Sequence, residues 1–256
     1  MRKKGLSSFL LFLLLALSPA FAQLTAPVNG VADTRQKSFA FINAMIVKDA
    51  TAKPESGTLL IKDGKIAGVG NKLSIPADAV VIDMKGKYIY PSFIDLNSDY
   101  GVASAKAPTS GGFNFNATPQ ITSNTKGAYG WNESLKSYVN ASDLFTMEDK
   151  TAKDLRSQGF GSVLTHQKDG IARGTGSFVT LASTTDNFVM LKEKASANFS
   201  FSSGSSRQTY PRSMMGSIAL LRQTFLDAQW YKNVKTSPKG LPAEEGINKS
   251  LEAWNS

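Results

Sequence analysis

The stretches of sequence that decide the fold are Phe41-Ile-Asn-Ala-Met-Ile-Val47, Gly57-Thr-Leu-Leu-Ile-Lys-Asp-Gly-Lys-Ile-Ala-Gly-Val-Gly70 and Val81-Ile-Asp-Met-Lys-Gly-Lys-Tyr-Ile-Tyr-Pro-Ser-Phe-Ile-Asp95. They are rich in β-branched and aromatic residues, which favour strands. Asp63-Gly64 separates two apolar runs and is typical of a type I′ hairpin turn, which needs positive φ at both residues. Lys85-Gly86 separates two more runs in the same way. Residues 38–90 are therefore predicted to form a small antiparallel β unit.

The rest of the chain, residues 91–256, alternates between strand-like runs and helical patterns. Phe93–Leu96 and Gly161–Thr165 are short apolar runs of the kind that form buried strands. The segment between them includes a helix that is predicted to begin at a Thr146 cap and to stop at Gly159. A helix that leads into such a strand predicts the alternation of a parallel sheet or barrel.

Glycine and serine dominate several of the segments that follow or interrupt these elements. Gly174-Thr-Gly176 lacks the third glycine of a nucleotide-binding motif, so it is predicted to be only a turn. A further strand is predicted at Phe178–Ala182. The segments 102–141 and 196–207 are rich in small polar residues and are predicted to be long loops, which in compact domains are often functional.

Two helices are predicted in the last quarter of the chain. The first begins near Ser213, and its apolar residues recur at helical spacing, which predicts one packed apolar face. That face consists of Met214, Ile218, Leu221, Phe225 and Ala228. The second helix is predicted at Pro242–Trp254, and no capping glycine follows it before Ser256. The architecture is therefore expected to be interrupted in this chain.

In this order, the three opening stretches resemble the amidohydrolase family, which contains metal-dependent hydrolases of the imidazolonepropionase and dihydroorotase kind. The resemblance is tight over residues 38–101 and looser through Gly159–Val163 and Ser213–Arg222. It implies an α/β fold, in which an N-terminal antiparallel β-sandwich segment at 38–90 precedes the first part of a metallo-(β/α)8 TIM barrel. The barrel, residues 91–256 with long loops, is expected to be incomplete.

The resemblance also locates a candidate site at the end of the first barrel strand. The family has a His-x-His metal pair there, but this sequence has Asn97 and Asp99 at the two positions. Alternation along a strand predicts that Asp95, Asn97 and Asp99 share one side. His166 follows the second predicted barrel strand, and barrel active sites lie at such strand ends. These four residues are the candidate site-lining residues, and no catalytic residue or metal ligand is assigned.

Metal chemistry limits what this site is expected to do. Imidazole is a good zinc ligand, whereas an asparagine amide is a weak oxygen donor. The family uses zinc or another divalent metal, but its remaining ligands come from later barrel strands, so no cofactor is expected here. With no cysteine and one histidine, cysteine zinc sites, disulfides and thiol catalysis are excluded. Asp95–Asp99 imitates an EF-hand start, but Tyr100 and Lys106 replace its glycine and glutamate.

Three functional hypotheses remain for a sequence with this resemblance. The first is the N-terminal part of an amidohydrolase-like protein, inactive here because the metal-binding histidines are missing. The second is an active hydrolase with an atypical metal site that uses Asp99. The third is a non-catalytic binding or scaffold domain of a larger envelope protein. The loss of both histidines favours the first and third over the second.

The implied partners follow from the same resemblance. An intact family member would use metal-assisted attack of hydroxide on a C–N bond of a cyclic amide or related substrate. A small-molecule amide or imide is therefore the expected substrate if the full protein is active. A C-terminal continuation or a partner chain is also expected, because family ligands and strands are missing from residues 91–256.

The N-terminus predicts export. Arg2, Lys3 and Lys4 precede the apolar run Phe9–Leu17, and Ala20-Phe-Ala22 supplies the small residues of a cleavage site. These features are typical of a signal peptide, residues 1–22, because the apolar run is too short for a stable membrane span. Gln23 is the expected mature N-terminus, a flexible leader is predicted at 23–37, and the protein is expected to be periplasmic or extracellular.

The charge of the chain does not indicate a nucleic-acid partner. Removal of the three basic residues at the N-terminus lowers the formal charge from +9 to +6. The remaining cations are scattered along the sequence, whereas nucleic-acid binding needs a clustered basic patch with interleaved aromatic residues. The positive charge is therefore attributed to a solvated surface.

Overall fold

The structure is a computed structural model that describes residues 37–105, 118–125, 131–183, 186–237, 239–241 and 246–255. The predicted signal peptide at 1–22 and residues 23–36 of the predicted leader lie outside these residues, as do parts of the predicted 102–141 loop. The chain divides into two compact units between Tyr90 and Pro91.

The first unit is one mixed sheet of five strands. Their bounds are β1 (Ser38–Ile46), β2 (Glu55–Lys62), β3 (Lys65–Gly70), β4 (Val80–Asp83) and β5 (Tyr88–Ile89). The strand order is β3-β2-β1-β4, and β5 also pairs with β1. Ala44, Ile46 and Leu59 form the small buried core of this unit. The described residues of this unit contain no second sheet, so the β-sandwich implied by the resemblance stays a prediction.

The β2–β3 hairpin has the predicted turn. Asp63 has φ 51° and Gly64 has φ 72°, and the flanking strands pair in antiparallel register from Lys62 and Lys65 outward. Both central turn residues are therefore in the left-handed region, which the type I′ turn requires. The prediction from the Asp-Gly dipeptide is confirmed.

The antiparallel prediction is wrong for the last two strands of this unit. β4 and β5 do not pair with each other. Each of them pairs with β1 instead, and both pairings are parallel. β1 is irregular between Phe41 and Ala44, where Asn43 has φ 56°. β4 pairs with β1 before this irregularity and β5 after it, so two short strands follow one edge of β1 in succession.

The second unit contains a four-stranded sheet, and its helices are mostly short. The strands are β6 (Phe93–Ser98), β7 (Phe160–Thr165), β8 (Ala172–Thr180) and β9 (Met190–Phe199). The helices are α1 (Ala141–Leu144), α2 (Asp149–Ser157), α3 (Asp186–Val189), α4 (Met214–Lys235) and α5 (Lys249–Glu252). The strand order is β6-β7-β8-β9. None of the helices in the described ranges is both long and apolar enough to cross a membrane.

The strand–helix–strand unit predicted from sequence is present. β6 and β7 are parallel and α2 lies between them in the chain, so the predicted alternation is confirmed. Gly159 has φ 95° directly after α2, which agrees with its role as a helix stop. The predicted Thr146 cap is wrong, because α2 begins after Glu148 and no side chain caps its first turn.

The sheet continues beyond β7 with antiparallel strands. β8 includes Gly174-Thr-Gly176, which was predicted to be a turn. Gly174 has φ 83°, and a Cβ there would lie 2.0 Å from the carbonyl oxygen of Val139. The segment at Val139 runs alongside β8, and the Thr175 amide donates to the Val139 carbonyl oxygen (2.9 Å). Glycine is needed because this backbone approaches the strand closely, so Gly174 marks a bulge rather than a turn. β9 also extends through Ser196–Phe199, so the predicted loop begins only after Phe199.

The long helix α4 begins where predicted but packs on a different face. The Ser213 hydroxyl accepts a hydrogen bond from the Gly216 amide (3.0 Å), which confirms the predicted start. The buried residues are Ser217, Leu220, Thr224, Ala228 and Tyr231. Met214, Ile218 and Phe225 of the predicted packed face are exposed instead. Of the helix predicted at Pro242–Trp254, the described residues form only α5. Residues 242–245 lie outside the described ranges.

Two clusters of buried side chains support the second unit. The larger joins the strand ends to α1 and α2 and includes Tyr100, Phe145, Val163 and Val179. The smaller consists of Leu135, Ile171, Ala172 and Leu220. Each cluster includes a residue that follows one of these strands within a few positions, Tyr100 after β6 and Ile171 after β7. The partial (β/α)8 barrel implied by the resemblance stays a prediction.

Candidate functional site

The carboxyl ends of β6 and β7 meet because the two strands are parallel and end in register at Ser98 and Thr165. The His166 amide donates a hydrogen bond to the Ser98 carbonyl oxygen (3.1 Å). The buried Thr165 hydroxyl donates to the Tyr100 carbonyl oxygen (2.7 Å). These bonds fix the two chain segments at the point where both leave the sheet.

A cleft of about 210 Å³ opens beside these strand ends. Its lining residues come from three segments of the chain, and they are Asp99, Val102, Ser104, Ala105, Lys168, Asp169, Gly204 and Ser205. The Gln167 side-chain amide donates to the Ala103 carbonyl oxygen (3.1 Å), which ties two of the three segments together. The walls of the cleft are therefore held by hydrogen bonds as well as by packing.

The structure separates the three polar residues that were predicted to share one side of the first barrel strand. Asp99 lines the cleft, but Asp95 and Asn97 do not. Asp95 is half-buried, and its carboxylate accepts a hydrogen bond from the Asn97 amide (2.9 Å). The pairing of β6 with β7 is irregular between Asp95 and Ser98, so the simple alternation that predicted one shared side does not hold along this strand.

His166 is buried behind the strand ends, with 3% of its surface exposed. Burial lowers the pKa of its imidazole, the charges of Arg173 and Lys168 lower it further, and Asp99 opposes them. The imidazole is therefore neutral near pH 7. Its Nδ1 atom has no hydrogen-bond partner within the part of the chain that the structure describes. His166 and Asp99 are thus brought into electrostatic contact, but His166 does not line the cleft.

Asp99 faces an ammonium group. Its carboxylate lies 3.6 Å from Lys168 Nζ, and both side chains are partly exposed, at 56% and 36%. Lys168 was not among the residues singled out from the sequence. Its distance of two residues from His166 places it at the same strand end, which is the one local signal that indicates it.

A buried ionic cluster forms the back of the cleft, and sequence reasoning missed it. Lys136 forms an ion pair and hydrogen bond with Asp169 and donates to Ser205 Oγ (2.7 Å). Asp169 also accepts from the Ser205 amide (2.6 Å) and hydroxyl (2.8 Å). Burial raises the Asp169 pKa, but these donors outweigh it and hold the pKa below its usual range. No local pattern predicts this cluster, because its members lie 33 and 36 residues apart.

The described residues do not fit a catalytic divalent metal. Within the described ranges, no group of three or more His, Cys, Asp or Glu side chains lies close enough to hold an ion. Asp99 adjoins the Lys168 ammonium, and Asp169 is engaged by Lys136 and Ser205. A zinc site needs about three protein ligands, and here only one imidazole is present.

Comparison with known proteins gives a fold relative. No family model matches the sequence, and no curated protein matches it. The structure of an amidohydrolase from Thermotoga maritima MSB8 is similar to this chain, with a TM-score of 0.60 and 22% sequence identity. The similarity covers 85% of this chain and 54% of that one, so the chain spans about half the length of that protein.

Two further solved structures match short parts of the chain. A D-hydantoinase is 40% identical over 25% of this chain and 14% of its own, with a TM-score of 0.22. A dihydroorotase is 29% identical over 27% of this chain and 18% of its own, with a TM-score of 0.20. The longer Thermotoga match supports the resemblance stated from the sequence at the level of the fold: this chain is an α/β protein with the fold of an amidohydrolase.

Proposed function

We propose that this chain belongs to an exported amidohydrolase-like protein and that its strand-end site does not perform metal-dependent hydrolysis. The fold relative and the ordered sequence stretches at 38–101 support the first part. The pairing of Asp99 with Lys168 supports the second part, because an ammonium lies 3.6 Å from the carboxylate that a metal would need as a ligand. An N-terminal β-sandwich segment followed by part of a (β/α)8 barrel is the architecture that we propose with it.

The charge arrangement argues against a bound divalent cation. Asp99 stands at the second position of the family's His-x-His pair, and its carboxylate is already compensated by Lys168. A divalent ion at that carboxylate would be repelled by the ammonium 3.6 Å from it. Asn97 is exposed and offers only an amide oxygen. The site therefore favours an ionic or hydrogen-bonding ligand over a metal.

Metal analysis tests this proposal. We expect exported protein, dialysed after zinc loading, to retain far less than one zinc per chain and to hydrolyse cyclic amides no faster with zinc than without it. The Asn97→His/Asp99→His double variant is the matched comparison, and we expect it to remain inactive because further ligands are missing. About one tightly held zinc in the unmodified protein, with amide hydrolysis lost in Asp99→Ala, would overturn the proposal.

A non-catalytic binding domain is the second candidate function. The specific observation in its favour is a cleft whose walls are fixed by hydrogen bonds and whose exposed charges are opposite in sign. Small-molecule sites are concave and largely pre-formed, with a few polar groups that orient the ligand. If the whole protein is an amidohydrolase-like hydrolase, its proposed substrate class remains a small-molecule amide or imide.

A further inference from the structure

We propose that the cleft at the ends of β6 and β7 binds a small zwitterion of the α-amino-acid type, with the ligand's ammonium on Asp99 and its carboxylate on Lys168. The proposal rests on the proposed function only in using the same strand-end site. It needs no metal and no second protein. The argument depends on charge, on size and on the rigidity of the walls.

Among the described residues that line this cleft, the charges available to a ligand are one negative and one positive. Asp99 and Lys168 are partly exposed and 3.6 Å apart. Asp169 also lines the cleft, but its carboxylate is buried and engaged by Lys136 and Ser205. A simple anion at Lys168 would be repelled by Asp99, and a simple cation at Asp99 would be repelled by Lys168. A ligand with both charges satisfies both groups.

The spacing and size of the cleft suit an α-amino acid. A single carbon separates the ammonium and carboxylate of such a ligand, which matches two protein charges only 3.6 Å apart. The volume of about 210 Å³ lies below the roughly 300–1,000 Å³ of pockets for drug-sized ligands. Val102 and Ala105 supply apolar lining for a side chain, and Ser104 supplies a hydroxyl.

The walls are organised before a ligand arrives. The Gln167–Ala103 and His166–Ser98 hydrogen bonds fix the segments that carry Lys168 and Asp99. The Ser205 wall is fixed by Asp169 through both its amide and its hydroxyl. Binding then keeps the Asp99–Lys168 pair at its spacing of 3.6 Å, because the ligand places its ammonium on Asp99 and its carboxylate on Lys168.

Calorimetric titration of the full chain in metal-depleted buffer tests the proposal with three related probes. We expect L-leucine to bind about tenfold or more tightly than N-acetyl-L-leucine, which lacks the ammonium, or L-leucinamide, which lacks the carboxylate. Asp99→Asn should abolish the preference for leucine over the N-acetyl compound. Lys168→Gln should abolish the preference for leucine over the amide.

The matched controls come from the other compact unit. Lys48 and Glu55 form an ion pair that is also exposed, so Lys48→Gln and Glu55→Gln should leave all three affinities unchanged. No binding of leucine up to millimolar concentration, or unchanged preferences in both cleft variants, would overturn the inference. Leucine binding alongside a retained zinc would refute only the proposed function, whereas absence of both would refute only the zwitterion site.

Discussion

At the scale of single residues, the buried imidazole of His166 links the site to pH. Burial and the nearby cations lower its pKa from the ordinary value of 6.5, so the unfolded chain binds a proton at a higher pH than the folded chain does. Folding stability therefore falls as pH drops below about 6.5 and stops falling once the folded state is also protonated. This behaviour follows from the sign of the shift.

We expect the urea midpoint of the protein to be lower at pH 5.5 than at pH 7.5, and His166→Gln to reduce that difference. Glutamine keeps a polar side chain at this position but does not titrate, so the variant removes the effect of imidazole protonation on the urea midpoint. The measurement is equilibrium urea unfolding at the two pH values. Equal pH dependence in the variant and the unmodified protein would assign the effect to other groups.

The Lys136–Asp169 pair gives a second prediction at this scale. Removing one partner of a buried ion pair leaves the other charge uncompensated and costs about 3–5 kcal/mol, and the lower end applies because Lys136 is 18% exposed. Lys136→Met should therefore destabilise by about 3 kcal/mol. The double variant Lys136→Met/Asp169→Asn should lose less unfolding free energy than the two single variants lose together. Additive losses in urea unfolding would show that the pair is not coupled.

At the scale of elements, two local signals predicted their structure correctly, whereas the packed face of α4 was not predicted. The Asp63-Gly64 dipeptide specifies its hairpin by its own backbone preference, and Ser213 caps α4 through a bond three residues away. The buried face of α4 depends on what packs against it. Its buried row contains Ser217 and Thr224, whose hydroxyls donate to backbone oxygens at 3.1 and 2.8 Å. Because these buried residues are polar, the hydrophobic periodicity of the sequence predicted a different row of residues.

The candidate site was also only partly predictable from the sequence. The resemblance located Asp99, because its motif is local to one strand end. Lys136, Asp169 and Ser205 meet only through the fold, since no periodic spacing connects them. The bulge at Gly174 was not predicted either, because the backbone at Val139 that lies against it is distant in sequence. Contacts between remote segments are what the sequence alone could not predict.

The Gly174 bulge provides a prediction with an internal control. Gly174→Ala introduces a methyl group that would lie 2.0 Å from the Val139 carbonyl oxygen, so backbone must shift and the loss should exceed the cost of positive φ alone. Gly64→Ala has the same φ problem but no atom within 4 Å of the new methyl, and should cost about 1–2 kcal/mol. Equal losses of the two variants in thermal or urea unfolding would contradict the close approach of the Val139 carbonyl oxygen.

At the scale of the whole molecule, the exposed apolar surface of the second unit is large. Phe93, Ile94 and Leu96 of β6 are 65%, 51% and 70% exposed, and β6 is an edge strand of its sheet. α4 adds an exposed apolar row. Unpaired edge strands with apolar side chains favour association between chains, and large exposed apolar patches do the same.

We therefore expect residues 23–256 to elute as oligomers and to bind a hydrophobic dye. Leu96→Lys should shift the elution toward monomer, because edge lysines oppose strand pairing. Gln223→Lys, which adds the same charge to an already polar position on α4, should have little effect. A monodisperse monomer in the unmodified protein would contradict this prediction.

The bond between the Ser205 amide and the Asp169 carboxylate has a consequence for local motion. Ser205 lies in a segment without helix or strand, where amide protons ordinarily exchange with solvent within moments of dilution into heavy water. Its amide is held by a carboxylate that is 3% exposed, so this proton can leave only when the loop detaches from the ionic cluster. The exchange rate of that one amide thus reports how often the back wall of the cleft opens.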